Sequence, residues 1–350
     1  MVVPDGIDDP QRPSGGNVYD RRLSRELAVL GWPVHEHPVP GPWPVPSPAD
    51  VAVLGATLDG IPVRAVVLLD GLVASAAPEA LVPRTARLTL VVLVHMPLGD
   101  DDSPNGEGAR TRRREGAVLS AVDAVLVPSE WTRRRLLERH ALPSGRVHVA
   151  EPGVDLGSVA PGTTDGGELL CVATVAPHKG HDLLLAALAT LRHLSWRCTF
   201  VGRLDLDPGF LELLRRRARR DGISDRLRFT GPLTRRALDA AYVGSDVLVL
   251  PSRAETYGMV VTEALAHGLP VVATAVGGLP QALGRDSEGG TPGVLVPPEA
   301  PSALAEALSG WLCDGDLRQR LRHAARERRA GLPGWPATAN RVARVVGDLR

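Results

Sequence analysis

The sequence is 350 residues long, more than one ordinary hydrophobic core holds and suited to two domains of ~150 to 200 residues each. Hydrophobic residues make up 44% and charged residues 23%, globular values, and no uninterrupted apolar run approaches the ~20 residues needed to cross a bilayer. Forty basic residues balance forty acidic ones, so no global field holds nucleic acid by counterion release, and any anion must be met at a local site.

The amino terminus, MVVPDGIDDPQRP, is acidic where a secretory leader would be basic and lacks an apolar segment, so a cytoplasmic protein is expected. Val2 to Pro4 reads as an unusually short first strand, which also fits a start further upstream. In RPSGGNVY, Gly15 and Gly16 let the backbone come close to a ligand before a helix over 18–30, although two glycines in a loop equally describe an ordinary turn. Prolines at every second or third position of 38–48 exclude a helix or a central strand, so this stretch reads as a loop. Strands over 64–69, 88–94 and 124–127, with helices over 108–121 and 129–139, make one doubly wound sheet. Asp70 and His95 stand at the carboxyl ends of two of these strands, where open α/β sheets build their sites. A lone histidine there is often structural, and Asp70 is an acceptor-side candidate with no motif behind it.

Glycine, proline and small polar residues around 152–167 place a linker at 156–167. It separates a first domain, 1–155, from a second, 168–330, and a short closing helix is expected within 331–350. The second domain carries strands over 169–175, 197–201, 227–230, 246–250 and 270–274, again in α/β alternation. Cys171, Cys198 and Cys313 have neither zinc spacing nor an even count, and read as reduced core thiols.

The most informative stretch is 248–274, LVLPSRAETYGMVVTEALAHGLPVVAT, where a buried strand runs into a short loop and a helix opening near Thr256 to Gly258. Free amides and the helix dipole at such a turn suit a diphosphate. Glu255 precedes the helix and Glu263 lies about two turns inside it, so both can accept hydrogen bonds from hydroxyls; the bland alternative is a cap and a solvated helical residue. Among the basic residues only Lys179 is a lysine, and it stands directly before Gly180. A compact point charge there suits a tight phosphate pocket, which arginine would not fill in the same way; the bland alternative is a chance survivor among arginines.

Two glutamates with seven residues between them resemble the donor-site signature of family 4 glycosyltransferases. The likeness extends to Pro251-Ser252, Tyr257-Gly258, Glu263-Ala264-Leu265-Ala266 and the strand entry from Gly268 to Thr274. LLCVATVAPHKGHDLLLAA looks like the same family's first nucleotide-domain strand and helix, and RPSGGNVY like its amino-terminal loop. The resemblance implies two Rossmann-like α/β domains facing across a cleft, the B-type fold. It implies a retaining transfer from a nucleoside diphosphate sugar, with no cofactor and no metal. Glu263 would bind ribose hydroxyls, Glu255 the transferred sugar, and the amides of Tyr257, Gly258, Met259 and Val260 the diphosphate, with Thr256 beside them. Lys179 would meet phosphate, Gly15 and Gly16 would approach the donor, and His95 would stand near the reacting sugar. The family's usual arginine five or six residues before the lysine is absent, since Ala173 and Thr174 occupy that region; Arg203 or a first-domain arginine would have to compensate.

Asp205 and Asp207 have the spacing of a metal-binding pair but sit in a loop beside Pro208, which favours a structural reading. The resemblance implies a nucleotide sugar and a small-molecule or lipid acceptor as partners, and the balanced charge implies no nucleic acid. Arginine clusters at 112–114 and 133–135 read as solvated helix faces, and zero net charge disfavours membrane contact. An epimerase on the same fold, or a silent nucleotide-sugar-binding partner subunit, are the alternative readings.

Overall fold

A computed structural model describes residues 1–99 and 107–349. The chain divides into two compact units, one of 1–9, 14–153 and 334–350, the other of 10–13 and 154–333.

The first unit holds a six-stranded sheet: β1 (Val2–Pro4), β2 (His37–Val39), β3 (Val66–Asp70), β4 (Thr89–Leu93), β5 (Ala124–Val127) and β6 (Val147–Val149). Its order is β2-β1-β3-β4-β5-β6, all parallel. The expected loop over 38–48 is thus corrected at its start, where Pro38 lies in the edge strand β2; an edge position leaves room for a residue that donates no ladder hydrogen bond. The edge strand β6 escaped the sequence reading because three residues carry almost no periodic signal. The helix Gly15–Val29 starts three residues earlier than its apolar pattern, at the Ser14 N-cap, whose hydroxyl accepts from the Asn17 amide. Gly15 and Gly16 therefore form the first turn of a helix and not a loop.

The second unit contains β7 (Glu168–Val172), β8 (Arg197–Val201), β9 (Leu227–Phe229), β10 (Val247–Leu250), β11 (Val271–Thr274) and β12 (Gly293–Val296). These pair in parallel in the order β9-β8-β7-β10-β11-β12, so the direction of winding reverses between β7 and β10. Alternate residues explain why both faces are covered. Leu169, Cys171, Val247 and Val249 join one buried cluster, while Leu170, Val172, Leu248 and Leu250 join another.

Two further expectations change, for the linker and for Cys313, while the closing helix forms where it was expected. Residues 156–167, expected as a linker, pack within the second unit: the Thr163 amide and hydroxyl both donate to Asp246, a carboxylate otherwise buried without solvent. The terminal helix, Trp335–Asp348, belongs to the first unit, where it packs on the helix Gly15–Val29 and sets the Trp335 ring edge-on to Tyr19 at 5.6 Å. Cys171 and Cys198 are buried, but Cys313 ends the helix Pro301–Cys313 in an exposed position. No helix among the described residues is long and apolar enough to cross a membrane.

Candidate active site

In the second unit the sheet brings two strand ends together. After β7 the chain makes a single tight turn over Pro177–Lys179 and passes through Gly180 at φ 68°. A Cβ at Gly180 would lie 2.0 Å from the carbonyl oxygen of Pro251, the residue that follows β10, so only glycine lets these two loops touch. Lys179 Nζ consequently reaches Glu255 Oε1 at 2.6 Å, and the Ser252 hydroxyl donates to the same oxygen at 3.0 Å. The pair is neither buried nor freely solvated: 22% of the lysine side chain and 12% of the glutamate side chain are exposed.

Arg253 locks this arrangement. Its amide donates to His178 O at 2.8 Å, and its guanidinium grips both oxygens of Asp182 at 2.8 Å each. The carboxylates of Asp182 and Glu299 hold the Arg253 cation well above the ordinary arginine value against the cost of burial. Gly277 and Gly278 press on the other side of Glu255. The Gly278 amide donates to Glu255 O at 3.0 Å, and a Cβ on Gly277 would fall 1.7 Å from that oxygen.

Thr256 and Tyr257 lead into Gly258, which takes φ 93° as N-cap of the helix Met259–Ala266. No side chain caps this helix. The start at Met259 places Glu263 about one turn inside, not two, because the left-handed glycine delays the helical backbone. Met259 and Val260 form the first turn, and Glu263 Oε2 accepts from the buried Tyr242 hydroxyl at 2.8 Å. Burial raises the Glu263 carboxyl above its usual value, while the Tyr242 bond works against that rise.

Arg203 follows Gly202 at the end of β8, and its carbonyl accepts from the Val175 amide at 2.8 Å, beside the Ala173-Thr174 stretch that lacks an arginine. Its guanidinium pairs with Asp205 at 3.0 and 3.1 Å. Asp207 caps the helix Pro208–Arg220 through the Phe210 amide at 2.9 Å. The two aspartates are thus engaged locally, one with an arginine and one with a helix end.

The first unit builds a separate cluster at its own strand ends. His95 follows β4, and Asp70 closes β3. His95 Nε2 lies 2.8 Å from Asp20 Oδ1 and 3.8 Å from Asp70 Oδ2. Asp70 Oδ1 accepts from the amides of Leu72 and Val73. One nitrogen and two oxygens of this trio lie within 4.8 Å of one another. Burial, then the Asp20 charge, pushes the Asp70 carboxyl up to about 7, against the pull of His95 and the two amides. Burial opposes charge on His95, but the Asp20 carboxylate and, to a lesser degree, Asp70 raise it above the ordinary histidine value. Gly16 makes room for this ring, since a Cβ there would stand 3.0 Å from His95 Cδ2. Gly15 is exposed in the same helical turn.

The structure therefore joins Lys179 with Glu255, and His95 with Gly16 and Asp70. It adds Gly277 and Tyr242 in the second unit and Asp20 in the first, none of which the sequence reading singled out, and gives a contact to Ser252, which that reading named only within the family likeness. Asp20 had a signal: it falls on the buried stripe of its helix with Tyr19, Leu23, Ser24 and Leu27. A cavity of about 520 Å³ also lies in the first unit, lined by Met1, Trp32, His37, Ile61 and Val66 among others. It opens at the amino-terminal edge of the sheet and is mostly apolar, away from the strand ends that carry the clustered charges.

Two family models match the chain, one described as glycosyl transferases group 1 over residues 162–328 and one as glycosyltransferase family 4 over residues 66–158. D-inositol 3-phosphate glycosyltransferase 1 of Catenulispora acidiphila is 33% identical over 298 residues, which cover 79% of this chain and 68% of that protein. The D-inositol 3-phosphate glycosyltransferase of Kineococcus radiotolerans is 32% identical over 281 residues, covering 73% of this chain and 64% of the relative. The chain thus spans about two thirds of the length of these curated relatives. Among solved structures, a sucrose-phosphate synthase from Thermosynechococcus elongatus superposes with a TM-score of 0.80 at 22% identity, covering 99% of this chain and 98% of the other. Anabaena HepE, solved with UDP and glucose, gives 0.76 at 17% identity and 99% coverage of both chains. These structural likenesses concern the fold.

Proposed function

Given that the chain belongs to glycosyltransferase family 4, with the two doubly wound units of the B-type fold, we propose that this enzyme moves a sugar from a nucleoside diphosphate to an acceptor hydroxyl with retention. The observation that carries the reading is the Lys179–Glu255 pair at the winding reversal of the second sheet, beside the uncapped start of the helix Met259–Ala266. Such a reversal point is where open α/β sheets bind nucleotides. The Lys179 ammonium and the helix-start amides then meet a diphosphate without a metal ion.

In this reading Glu263 accepts from the ribose hydroxyls, and Tyr242 holds the receiving carboxylate in place. Glu255 contacts the sugar being transferred. Arriving phosphate takes over the Lys179 ammonium from Glu255, which frees that carboxylate for sugar hydroxyls. The bond from the anomeric carbon to the diphosphate oxygen breaks while the acceptor oxygen bonds on the same face, and the acceptor proton passes to the departing phosphate. Lys179 and the Tyr257 to Val260 amides stabilise the charge that accumulates on that leaving group. Arg203 is free to meet phosphate only by leaving Asp205, and we assign it that secondary role. Gly15, Gly16 and His95 of the first unit are assigned to the donor phosphates and the reacting sugar.

The inositol 3-phosphate relatives support a small polyol or its phosphate ester as acceptor. Incubating the purified chain with UDP-, GDP- and ADP-sugars, with and without inositol phosphates, tests the reading through nucleotide release and the anomeric coupling of the product in proton NMR. Transfer with retention that survives EDTA is expected. An inverted product sinks the mechanism, and loss in EDTA with rescue by magnesium or manganese returns weight to Asp205 and Asp207.

A further inference from the structure

Resting on the assignment of the first unit to the reacting sugar, we propose that Asp20 is a positioning residue that keeps His95 doubly protonated, so that Nδ1–H is offered as a donor to a sugar hydroxyl oxygen.

The geometry leaves few choices. His95 Nε2 faces Asp20 Oδ1 at 2.8 Å, and a carboxylate oxygen only accepts, so Nε2 carries a proton; Asp70 Oδ2 stands further off at 3.8 Å. Among the described residues Nδ1 has no hydrogen-bonding partner, and 16% of the side chain is exposed, which leaves this nitrogen for a ligand. Its charge state decides what it can offer: neutral, Nδ1 accepts; protonated, it donates.

Asp20 decides that state. It is 1% exposed, and its second oxygen, Oδ2, is buried without a partner. The His95 ring at Oδ1 is thus its one hydrogen-bond partner among the described residues, and an imidazolium there best compensates a carboxylate that has no other donor. One cation between two buried carboxylates leaves the second to take the spare proton. Asp70, pushed up to about 7, is that second group, and its Oδ1 remains satisfied by the Leu72 and Val73 amides. The other neighbours do not compete: Tyr19 meets the His95 ring edge-on at 5.1 Å with its hydroxyl given to Ala150 O, and Gly16 contributes backbone alone. The amino-terminal ammonium acts on Asp20 from a distance while donating to His35 O.

Carbon-13 and proton NMR titration of His95 Cε1–H in the full chain, assigned with His95→Gln, reads the charge without any substrate. Wild-type His95 is expected to titrate above ~6.5, the ordinary histidine value. Asp20→Asn is expected to bring the midpoint down by about 1 to 3 pH units, the range for losing an adjacent opposite charge. Asp70→Asn should move it less. In transfer assays, kcat of Asp20→Asn should fall at least ~10-fold at pH 8 and recover at pH 6, as expected when one proton controls a donor. Asp20→Glu should restore part of the loss.

A wild-type midpoint at or below ~6.5 overturns the proposal even if Asp20→Asn does not fold. An unchanged midpoint in the folded variant, or a kcat loss equal at all pH values, makes Asp20 merely structural. Stoichiometric divalent metal in the purified protein would overturn it in favour of a cation held by the same trio. If the titrations behave as expected and no nucleotide sugar is used, the reaction assignment fails and the charge assignment stands.

Discussion

The hydroxyl of Tyr242 donates to Glu263 Oε2 at 2.8 Å, and its ring stacks on His267 with centroids 4.9 Å apart. His267 in turn bonds the Glu263 carbonyl through Nδ1 at 2.8 Å, so one buried aromatic pair fixes both ends of the glutamate. Tyr242→Phe keeps the ring and removes the donor. A stability loss of about 0.5 to 1.5 kcal/mol is expected, with a similar penalty in donor binding, about 2- to 13-fold. Glu263→Ala should weaken binding further without unfolding the protein. Calorimetric titration with the cognate nucleotide measures both, and an unchanged Kd in Glu263→Ala would remove that residue from the ribose.

Lys179 should matter more to the transition state than to the bound donor, because negative charge grows on the diphosphate as the glycosidic bond breaks. Lys179→Ala is expected to lower kcat on the order of 10²-fold, with a smaller rise in the donor KM. Lys179→Arg keeps the charge but not the compact ammonium that reaches Glu255 Oε1 at 2.6 Å, so a clear loss of kcat is expected there too. Wild-type activity in the arginine variant would show that the chain's one lysine has no special role.

Gly277 tests how tightly the site is built. Its φ of 55° opposes any side chain, and so does the 1.7 Å that would separate an added Cβ from Glu255 O. Gly277→Ala should cost about 1 to 3 kcal/mol and reduce transfer even under conditions where the protein stays folded. Thermal unfolding and kcat/KM are the two measurements. Normal values for both would mean that the loop shifts freely and does not position Glu255.

His181 predicts acid sensitivity. Burial, then the neighbouring Lys179 charge, holds its imidazole down to about 4, whereas an unfolded chain binds that proton near ~6.5. Between those values the unfolded state carries more protons, so this group's contribution falls as pH drops below ~6.5 and levels off near 4. The loss approaches about 3 kcal/mol. Urea unfolding from pH 7 to 4 should show it, and His181→Leu should flatten that part of the profile. An equal slope in the variant would place the acid sensitivity elsewhere.

The elements that carry the site were readable because local periodicity reports burial. Four-residue apolar runs at Ala124–Val127 and Val247–Leu250 read as buried strands because they are short, rich in valine and bounded by turn residues, and the strand, loop and helix around Glu255 follow from Pro251, Gly258 and the apolar run after it. Short edge strands such as β2, β6 and β12 were not readable to the same degree, since pairing with one neighbour and few residues leaves little pattern. Thr163 shows the same limit in a loop: its surroundings look like a spacer until Asp246 is placed beside it.

By itself the sequence determined the two α/β layers, the spacing of Glu255 and Glu263, and the singular lysine before Gly180, because each is a property of neighbouring residues. Tertiary structure decided which of these meet. Lys179 and Glu255 are 76 positions apart and Asp20 and His95 are 75, and they come together only because β7 chose β10, and the first helix chose the end of β4, as neighbours. Those choices come from long-range burial of whole sheet faces, which no local window contains. Charge follows the same rule: the Asp70 carboxyl is pushed up to about 7 by the burial and neighbours that folding supplies, not by the aspartate itself.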